Sequence, residues 1–371
     1  MTRPIHCIEG NSLLVGEMPM GCKQCARGSK MVLFVTGLCD AACFYCPLSQ
    51  DKTDKDVVFA DEMPVHNDSD ILYESDAIGA EGAGLSGGDP LCRLERTTHY
   101  ISLLKEQRGK DFHTHLYTAK SDIDEESLRS LLKAGLDEIR FHTLGQDWSG
   151  IESAIDLRMK VGIEVPAIPG EKKSLRETAR RAEDIGVSFL NINELESSET
   201  NFESLVSLGL RLRSMDSASI MGSTELASEI VHWAADELDS LSVHYCSARF
   251  KDAIQMHNRL ERRLERTSRE FEERVEDEPL LVLGVIRAPR GKQMSSDQLD
   301  HIGRVLEDRF DVPRHLMNVD IFRMRVEIAA WILSEIATDL KKALPDGNSF
   351  EVGVAHEYPS WDRLQTLFDP L

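Results

Sequence analysis

Apolar residues along this chain recur in two rhythms that trade places. Short aliphatic and β-branched runs predict strands at residues 31–37, 83–86, 112–118, 137–143, 163–168 and 187–193. Between the later runs the apolar positions move to a period near 3.6, which predicts helices over 125–134, 151–161 and 174–185. Gly135, Gly162 and Gly186 stand just past these helices, where a left-handed C-terminal residue is expected. Six strands alternating with helices imply right-handed crossovers and a parallel sheet, open or partly closed. Ligand groups then gather at the carboxyl ends of the strands. The expectation is an α/β fold: a partial (βα)6 barrel over residues 30–195, preceded by a Cys-rich N-terminal segment, 1–29. Beyond it, 201–213 and 224–238 read as helices, 241–245 as a short strand and 247–274 as a long charged helix, together a helical extension over 196–276. The acidic stretch 275–278 reads as a boundary. Residues 277–371, with strands near 280–287, 320–326 and 350–356 around helices at 296–310 and 328–344, read as a small C-terminal α+β domain.

The 371 residues, 41% hydrophobic and 29% charged, hold enough apolar material for a core. No run approaches the ~18 apolar residues of a membrane span, and the first residues lack the apolar stretch of a secretory signal. A cytoplasmic protein with no membrane partner is expected. The net charge of −21 comes from 64 acids against 43 bases, of which 28 are Arg and 15 Lys. Because the acids run along the whole chain, they suit a high-salt interior, as in a halophilic archaeon, better than a single acidic docking face. Their repulsion also argues against non-specific binding to nucleic acid or anionic membrane. The basic residues of the charged helix, Arg249 to Arg266, are interspersed with Glu261 and Glu265 and read as a solvated face, with phosphate or RNA contact as the lesser reading.

Eight cysteines change the picture most. Six fall within the first 46 residues, a clustering that in a long cytosolic chain indicates metal binding rather than a disulfide framework. The first predicted strand runs into Gly37-Leu38-Cys39-Asp40-Ala41-Ala42-Cys43-Phe44-Tyr45-Cys46. Three thiolates at spacings of three and two residues can wrap one face of a compact [4Fe–4S] cluster. A tetrahedral zinc would want a fourth protein ligand close by, so three suggest an iron left open to an external ligand. Tyr45, before the last Cys, is placed to cover the cluster or a bound purine. The next strand ends in Ser86-Gly87-Gly88-Asp89-Pro90, where paired glycines let backbone approach a small polar ligand. Alone, that turn would read as a tight strand-to-helix connection.

Together, Cx3CxΦC and Gly-Gly-Asp-Pro on a parallel βα scaffold resemble the radical SAM superfamily, over about residues 30–195. The resemblance implies a radical-SAM-like partial barrel in which Cys39, Cys43 and Cys46 ligate a [4Fe–4S] cluster. Its open iron would chelate S-adenosylmethionine, with Gly87, Gly88 and Asp89 contacting the amino group. Many family members carry Glu where this chain has Asp89. The family uses an electron from the cluster to cleave the sulfonium, giving a 5′-deoxyadenosyl radical that abstracts a substrate hydrogen. On this expectation, Gly88→Val leaves the cluster intact and weakens cofactor binding. The short motif and compact barrel are similar to the pyruvate formate-lyase activating enzymes, which points to a radical activase modifying a protein. RNA or small-molecule modification, or a non-catalytic iron–sulfur or zinc protein, are the alternatives. A ferredoxin or flavodoxin is the implied electron donor.

Weaker candidates cluster around the same mouth. Arg140 and His142 share one strand face, as do His113, His115 and Tyr117. Arg140 and His142, with Asn191 and Asn193 near the sixth strand's end, are expected to touch the cofactor or substrate, and Lys120, Glu171 and Glu194 stand at the rim. Cys22-Lys23-Gln24-Cys25 supplies half of a tetrahedral shell. With Cys7 and Cys246 it is expected to form a second metal site, holding zinc or a second iron–sulfur cluster, with His6 or His244 as the next ligands to consider. Cys92 reads as structural.

Overall fold

The computed structural model describes residues 2–344 and 350–371. It divides into two compact units, residues 1–259 and 260–371.

The first unit is built on one sheet of eleven strands: β1 (Ile5–Ile8), β2 (Ser12–Val15), β3 (Lys30–Phe34), β4 (Phe59–Ala60), β5 (Met63–Pro64), β6 (Gly82–Ser86), β7 (His113–Thr118), β8 (Glu138–Phe141), β9 (Lys160–Ala167), β10 (Phe189–Glu194) and β11 (Ser242–Cys246). Strands β3, β6, β7, β8, β9, β10 and β11 pair in parallel in that spatial order. The parallel part therefore has seven strands rather than the six expected. The strand read at 241–245 belongs to it, because β11 pairs with β10 along its whole length. The sheet is open: antiparallel β2 and β1 extend it beyond β11, and β4 and β5 extend it beyond β3. The Cys-rich N-terminal segment thus forms part of the sheet instead of standing apart.

Helices α1 (Met20–Ala26), α2 (Asp68–Ala77), α3 (Leu94–Arg108), α4 (Glu125–Ala134), α5 (Ser149–Asp156), α6 (Lys172–Ile185), α7 (Phe202–Ser207) and α8 (Ser223–Glu237) complete the unit. Asn67 caps α2 reciprocally with Asp70, and Gly135 and Gly186 close α4 and α6 in left-handed geometry. Gly162 does not close α5; it lies inside β9, where a side chain would strike the Phe189 ring. The helix expected over 201–213 is only the short α7, ended by Leu208 and the positive φ of Gly209.

Period two decides which residues meet. Met31, Leu33, Ala83, Leu85, Leu116, Ile139, Phe141, Val161, Ile163, Leu190, Ile192 and Val243 point to one face and form a buried apolar core. Their alternates, from Lys30 through His115, Arg140, Glu164 and Asn191 to His244, make an inner face rich in polar side chains, with Val32, Phe34 and Phe189 among them. Helix α1 packs on this inner face. A Cβ on Gly21 would lie 2.5 Å from His115 Cε1 and 2.7 Å from Arg140 Nη2, and one on Gly82 would lie 2.3 Å from Gln24 Oε1.

The charged helix expected over 247–274 is instead a π-helical turn, Phe250–Met256, leading into α9 (His257–Thr267). The division between units falls within α9, not in the acidic stretch 275–278. The second unit is an antiparallel sheet of β12 (Glu273–Arg274), β13 (Leu281–Arg287), β14 (Met317–Asp320), β15 (Arg325–Ile328), β16 (Glu351–Glu357) and β17 (Gln365–Pro370), with α10 (Ser296–Phe310) and α11 (Ala330–Ala343). The run expected as one strand over 320–326 is a hairpin. Ile321 and Phe322 are exposed at its tip, and Met324 adopts a positive φ of 51°. Buried Arg325 pairs with Glu327 and Glu357 across β15, β13 and β16.

Candidate active site

Two residues beyond β3 stands Thr36-Gly37, from which the three-cysteine loop departs. A side chain on Gly37 would overlap the carbonyl oxygen of Lys52, at 1.7 Å, so only glycine fits where the loop folds back. Four contacts then hold the loop. Lys120, at the end of β7, reaches Asp40 at 3.0 Å. Asn201, 1% exposed, donates to the backbone carbonyls of Tyr45 and Glu196, each at 3.0 Å. Cys46 N–H donates to the Cys43 carbonyl at 3.1 Å. Tyr45 Oη meets His142 Nε2 at 2.6 Å. His142 Nδ1 lies 2.9 Å from the Glu164 carbonyl oxygen, which only an N–H can satisfy. Nε2 is therefore the acceptor and the Tyr45 hydroxyl the donor. Burial keeps His142 below its usual pKa and so neutral, and raises the Tyr45 phenol.

The loop faces a cavity of about 530 Å³ at the carboxyl ends of β6, β7 and β8, lined by Cys39, Cys43 and Cys46, by Gly87 and Gly88, and by Tyr117, Thr118 and His142. A second cavity of about 420 Å³ adjoins it through His142 and is lined by Tyr45, Val165, Pro166, Ile168, Glu171 and Leu175. Burial pushes the Cys39 thiol up to about 11 and raises Cys43 as well. The three sulfurs do not crowd together as ligands of one tetrahedral ion would. Among the described residues, the three-residue set of His, Cys, Asp or Glu whose ligand atoms all lie within 4.8 Å is another one, His113, His115 and Glu138. A spread of three thiols around one cavity fits a polynuclear cluster better than a single zinc.

The paired glycines do more than admit a ligand. Gly88 N–H donates to the Thr36 carbonyl at 2.7 Å, and Asp89 N–H to the Leu38 carbonyl at 2.8 Å. A Cβ on Gly88 would stand 2.4 Å from Leu38 O, and one on Gly87 2.3 Å from Thr36 O. The turn is thus bonded to the backbone just before Cys39, and this changes the expectation that Gly88→Val spares the cluster. The Asp89 side chain is engaged on the other side of the turn. Its carboxylate does not line the cavity: at 1% exposure it accepts from Leu91 N–H and Ala119 N–H, both at 2.9 Å, and from the Thr118 hydroxyl. It ties the turn to the end of β7 and caps a 3₁₀ turn at Pro90–Arg93.

Arg140, Asn191 and Asn193 likewise do not line either cavity: Arg140 and Asn191 are buried on the inner face, and Asn193, half-buried and level with Pro166, is turned into the same polar network. Arg140 is 1% exposed. It donates to Glu138 Oε1 at 2.7 Å, Glu164 Oε2 at 3.0 Å and Tyr117 Oη at 3.3 Å, and sits 3.5 Å from Cys22 Sγ. Its guanidinium lies between the Tyr117 and Phe189 rings, at 5.3 and 5.1 Å. Asn193 donates to Glu164 Oε1 at 3.0 Å, and Asn191 pairs with His244 Nδ1 at 2.6 Å. Burial alone would raise Glu164, but Arg140 and the Asn193 hydrogen bond hold it below its usual value. Burial also keeps His115 well below its ordinary pKa. Glu194 bonds Thr224, Tyr245 and Ala248 N–H and is structural. Sequence reasoning passed over Glu138, Glu164 and Asn201. The first two alternate with apolar neighbours on their strands and could have been found from that; Asn201 gave no signal.

The four remaining candidate cysteines do not form one ligand set. Cys7 is exposed on edge strand β1, while Cys22 and Cys246 are buried and Cys25 half-buried near the inner face. No three of their sulfurs lie within 4.8 Å of one another, which argues against one tetrahedral ion but, as with the triad, not against a polynuclear cluster held by Cys22, Cys25 and Cys246, which lie near one another. Cys92 Sγ lies 3.8 Å from Asp40 at the loop's edge.

Residues 33–143 match the family model of the radical SAM superfamily, and residues 280–366 match a domain of unknown function. A protein of Methanocaldococcus jannaschii, provisionally named a glycyl-radical enzyme activating enzyme, is 33% identical over 368 residues, covering 96% of this chain and 93% of its own. Among solved structures, Streptococcus suis SuiB bound to S-adenosylmethionine is similar at a TM-score of 0.41 and 13% identity, over 59% of this chain and 50% of that one. Escherichia coli coproporphyrinogen III oxidase is similar at 0.36 and 13%, over 59% and 56%. The chain thus spans about half the length of these solved proteins. With the cysteine loop, the family match and a relative aligned from end to end, this chain belongs to the radical SAM superfamily of enzymes, which use S-adenosylmethionine and a [4Fe–4S] cluster.

Proposed function

We propose that this enzyme is an activase that generates a radical on a protein substrate. The observation that carries the reading is the 33% identity, over 96% of the chain, to a relative named as an activating enzyme. Bound together, the cluster and S-adenosylmethionine supply a 5′-deoxyadenosyl radical able to take a hydrogen atom from an unreactive carbon. The chain's own task is to hold both in register and to exclude water. Cys39, Cys43 and Cys46 hold the cluster. Gly87 and Gly88 offer backbone groups to the cofactor's amino end. His142 stands where the two cavities meet and Tyr45, bonded to it, borders the smaller one, so that an adenine can lie there against Val165, Pro166 and Ile168. Reduction needs a small electron donor such as a ferredoxin or flavodoxin.

The test is anaerobic reconstitution with iron and sulfide, then reduction with dithionite in the presence of S-adenosylmethionine. Mass spectrometry is expected to find 5′-deoxyadenosine. Electron paramagnetic resonance is expected to find a carbon radical on a glycyl-radical protein added from the same cells. Release of 5′-deoxyadenosine with no radical on any added protein, but with a modified RNA or small molecule, would overturn the activase reading.

A further inference from the structure

The inner face carries a second group of ligands that the cluster chemistry does not use. We infer that His113, His115 and Glu138 form a binding site for one divalent transition-metal ion. It lies at the amino-terminal ends of β7 and β8, opposite the end that carries the cysteine loop. His115 and Glu138 are direct partners in the parallel register of these strands, and His113 is two residues along on the same face. One ligand atom from each lies within 4.8 Å of the other two.

Three features distinguish this set from an ordinary buried polar cluster. First, each residue has a buried atom with no hydrogen-bond partner: His113 Nε2, His115 Nδ1 and Glu138 Oε2. His115 and Glu138 are both 0% exposed. One orphaned polar atom is costly; three on neighbouring residues leave a shared want that a cation fills. Second, two of the three ligands are hydrogen-bonded from their far side, as metal ligands commonly are, and the third faces a carboxylate. His115 Nε2 meets Tyr117 Oη at 3.2 Å, Glu138 Oε1 accepts from Arg140 Nε at 2.7 Å, and His113 Nδ1 faces Asp137 Oδ2 at 3.9 Å. Third, glycines on α1 and β6 admit the His115 ring and fix where its nitrogens stand. A Cβ on Gly21 would stand 2.7 Å from His115 Nδ1, and one on Gly84 2.7 Å from His115 Nε2.

Two imidazoles and one carboxylate suit Zn²⁺, Co²⁺ or Fe²⁺ and not Mg²⁺ or Ca²⁺, which want oxygen shells. Four cations face the site: Lys30, which bonds Tyr117 Oη, Lys105, which pairs with Asp137, Lys160, and Arg140, whose Nη2 has no hydrogen-bond partner. Arg140 is paired with Glu138 and Glu164, and Lys160 Nζ, 3.8 Å from Glu138 Oε2, belongs to a side chain 46% exposed that can turn to water as an ion enters. The His113 side chain, 11% exposed, marks the way in. This site is not the four-cysteine site expected from sequence, and it shares no ligand with it.

The test uses the full chain with Cys39, Cys43 and Cys46 changed to Ala, so that no cluster iron contributes, and Co²⁺ as the probe. The expected result is one Co²⁺ retained per chain after gel filtration, visible d–d absorption, and a thermal midpoint that rises with Co²⁺ concentration. His113→Gln and Glu138→Gln in the same background should each lose the bound ion and the midpoint shift. Circular dichroism checks their fold, and His113→Gln, at the partly exposed edge, decides if Glu138→Gln does not fold. The inference fails if no Co²⁺ is retained or if His113→Gln retains it in full. It fails equally if changing Cys22, Cys25 and Cys246 to Ser removes the ion while His113→Gln does not. Because the readout is ion content in a chain that cannot hold the cluster, failure here is separable from failure of the activase reading.

Discussion

Gly88→Ala tests whether the glycine turn serves the cofactor alone or also shapes the cluster loop. The added methyl would stand 2.4 Å from Leu38 O and 2.7 Å from Gly37 O, both backbone atoms that cannot rotate away. A close C···O contact is about 3.3 Å, so the loop must retreat by roughly 0.9 Å. That retreat stretches the 2.8 Å bond from Asp89 N–H to Leu38 O beyond hydrogen-bonding range. Overpacking of this kind costs about 1–3 kcal/mol, and a buried N–H left unpaired costs a similar amount. Leu38 directly precedes Cys39, while metal–ligand distances tolerate only about 0.2 Å. Iron per chain after anaerobic reconstitution should therefore fall along with S-adenosylmethionine affinity. The unfolding midpoint should drop by roughly 2–4 °C for each kcal/mol lost. Gly145→Ala, where an added Cβ meets nothing within 4 Å, is the control and should behave as the parent. Iron content, sulfide content and calorimetric binding on the same preparations decide. A Gly88→Ala protein with full iron, an unchanged midpoint and weakened cofactor binding alone would refute the reasoning and restore a turn that acts only on the ligand.

Tyr45→Phe removes the donor to His142 Nε2; with one hydrogen bond worth about 1 kcal/mol, iron content should hold while the S-adenosylmethionine dissociation constant rises about fivefold, and an unchanged constant would discharge Tyr45 from the site. Arg140→Met leaves buried Glu138 with only the 3.8 Å approach of Lys160 and Glu164 with only the Asn193 amide, which should destabilise the first unit by about 3–5 kcal/mol in thermal unfolding; a loss below about 1 kcal/mol would mean the pairs contribute nothing net. In the second unit, burial tends to raise Glu327, but Arg269 and Arg325 outweigh it and hold it at about 2. A lowered folded-state pKa contributes stability that is present above the unfolded value near 4.5 and lost as pH falls toward 2, here about 3 kcal/mol. Glu327→Gln lacks that contribution at neutral pH, so acid unfolding of its second unit should move to higher pH and the difference from the parent should close toward pH 2; identical acid transitions would remove this ion-pair network from the account.

Much of the scaffold was legible because two periods alternate cleanly. All six strands expected between residues 31 and 193 are present in the sheet. The misses share a cause. Ile5–Ile8 and Ser12–Val15 carry only four residues each, too few for a period to register. Strand β11 was recognised as a strand but placed outside the sheet, because 47 residues separate it from β10 and nothing local reveals its partner. The hairpin at 317–328 hid behind Ile321 and Phe322, whose apolar character suits a strand but which sit exposed at a tip. The three cysteines and the glycine turn were readable since their chemistry lies in consecutive residues. Asn201, which holds the Tyr45 carbonyl from 156 residues away, was not.

The failure at Arg140, Asn191 and Asn193 has a different origin, and it shows how one strand can serve two sites. Arg140 and His142 share a face, as the alternation requires, yet one closes a buried ion network while the other walls the cavity. Two residues along a strand is about 6.6 Å, enough to separate a cluster-facing mouth from the interior beneath it. Period two reports which face a residue takes and carries no information on depth. Register alone does not settle the matter either: Arg140 is level with Tyr117 and Gly162, and Asn193 with Pro166, so what takes these side chains off the cavity is that both turn to Glu164. Tyr117 spans the two levels. It borders the cavity, and its hydroxyl approaches Lys30, His115 and Arg140 at 3.4, 3.2 and 3.3 Å. A change in the charge held by the inner face would therefore be felt at the cavity through one phenol rather than through the sheet as a whole.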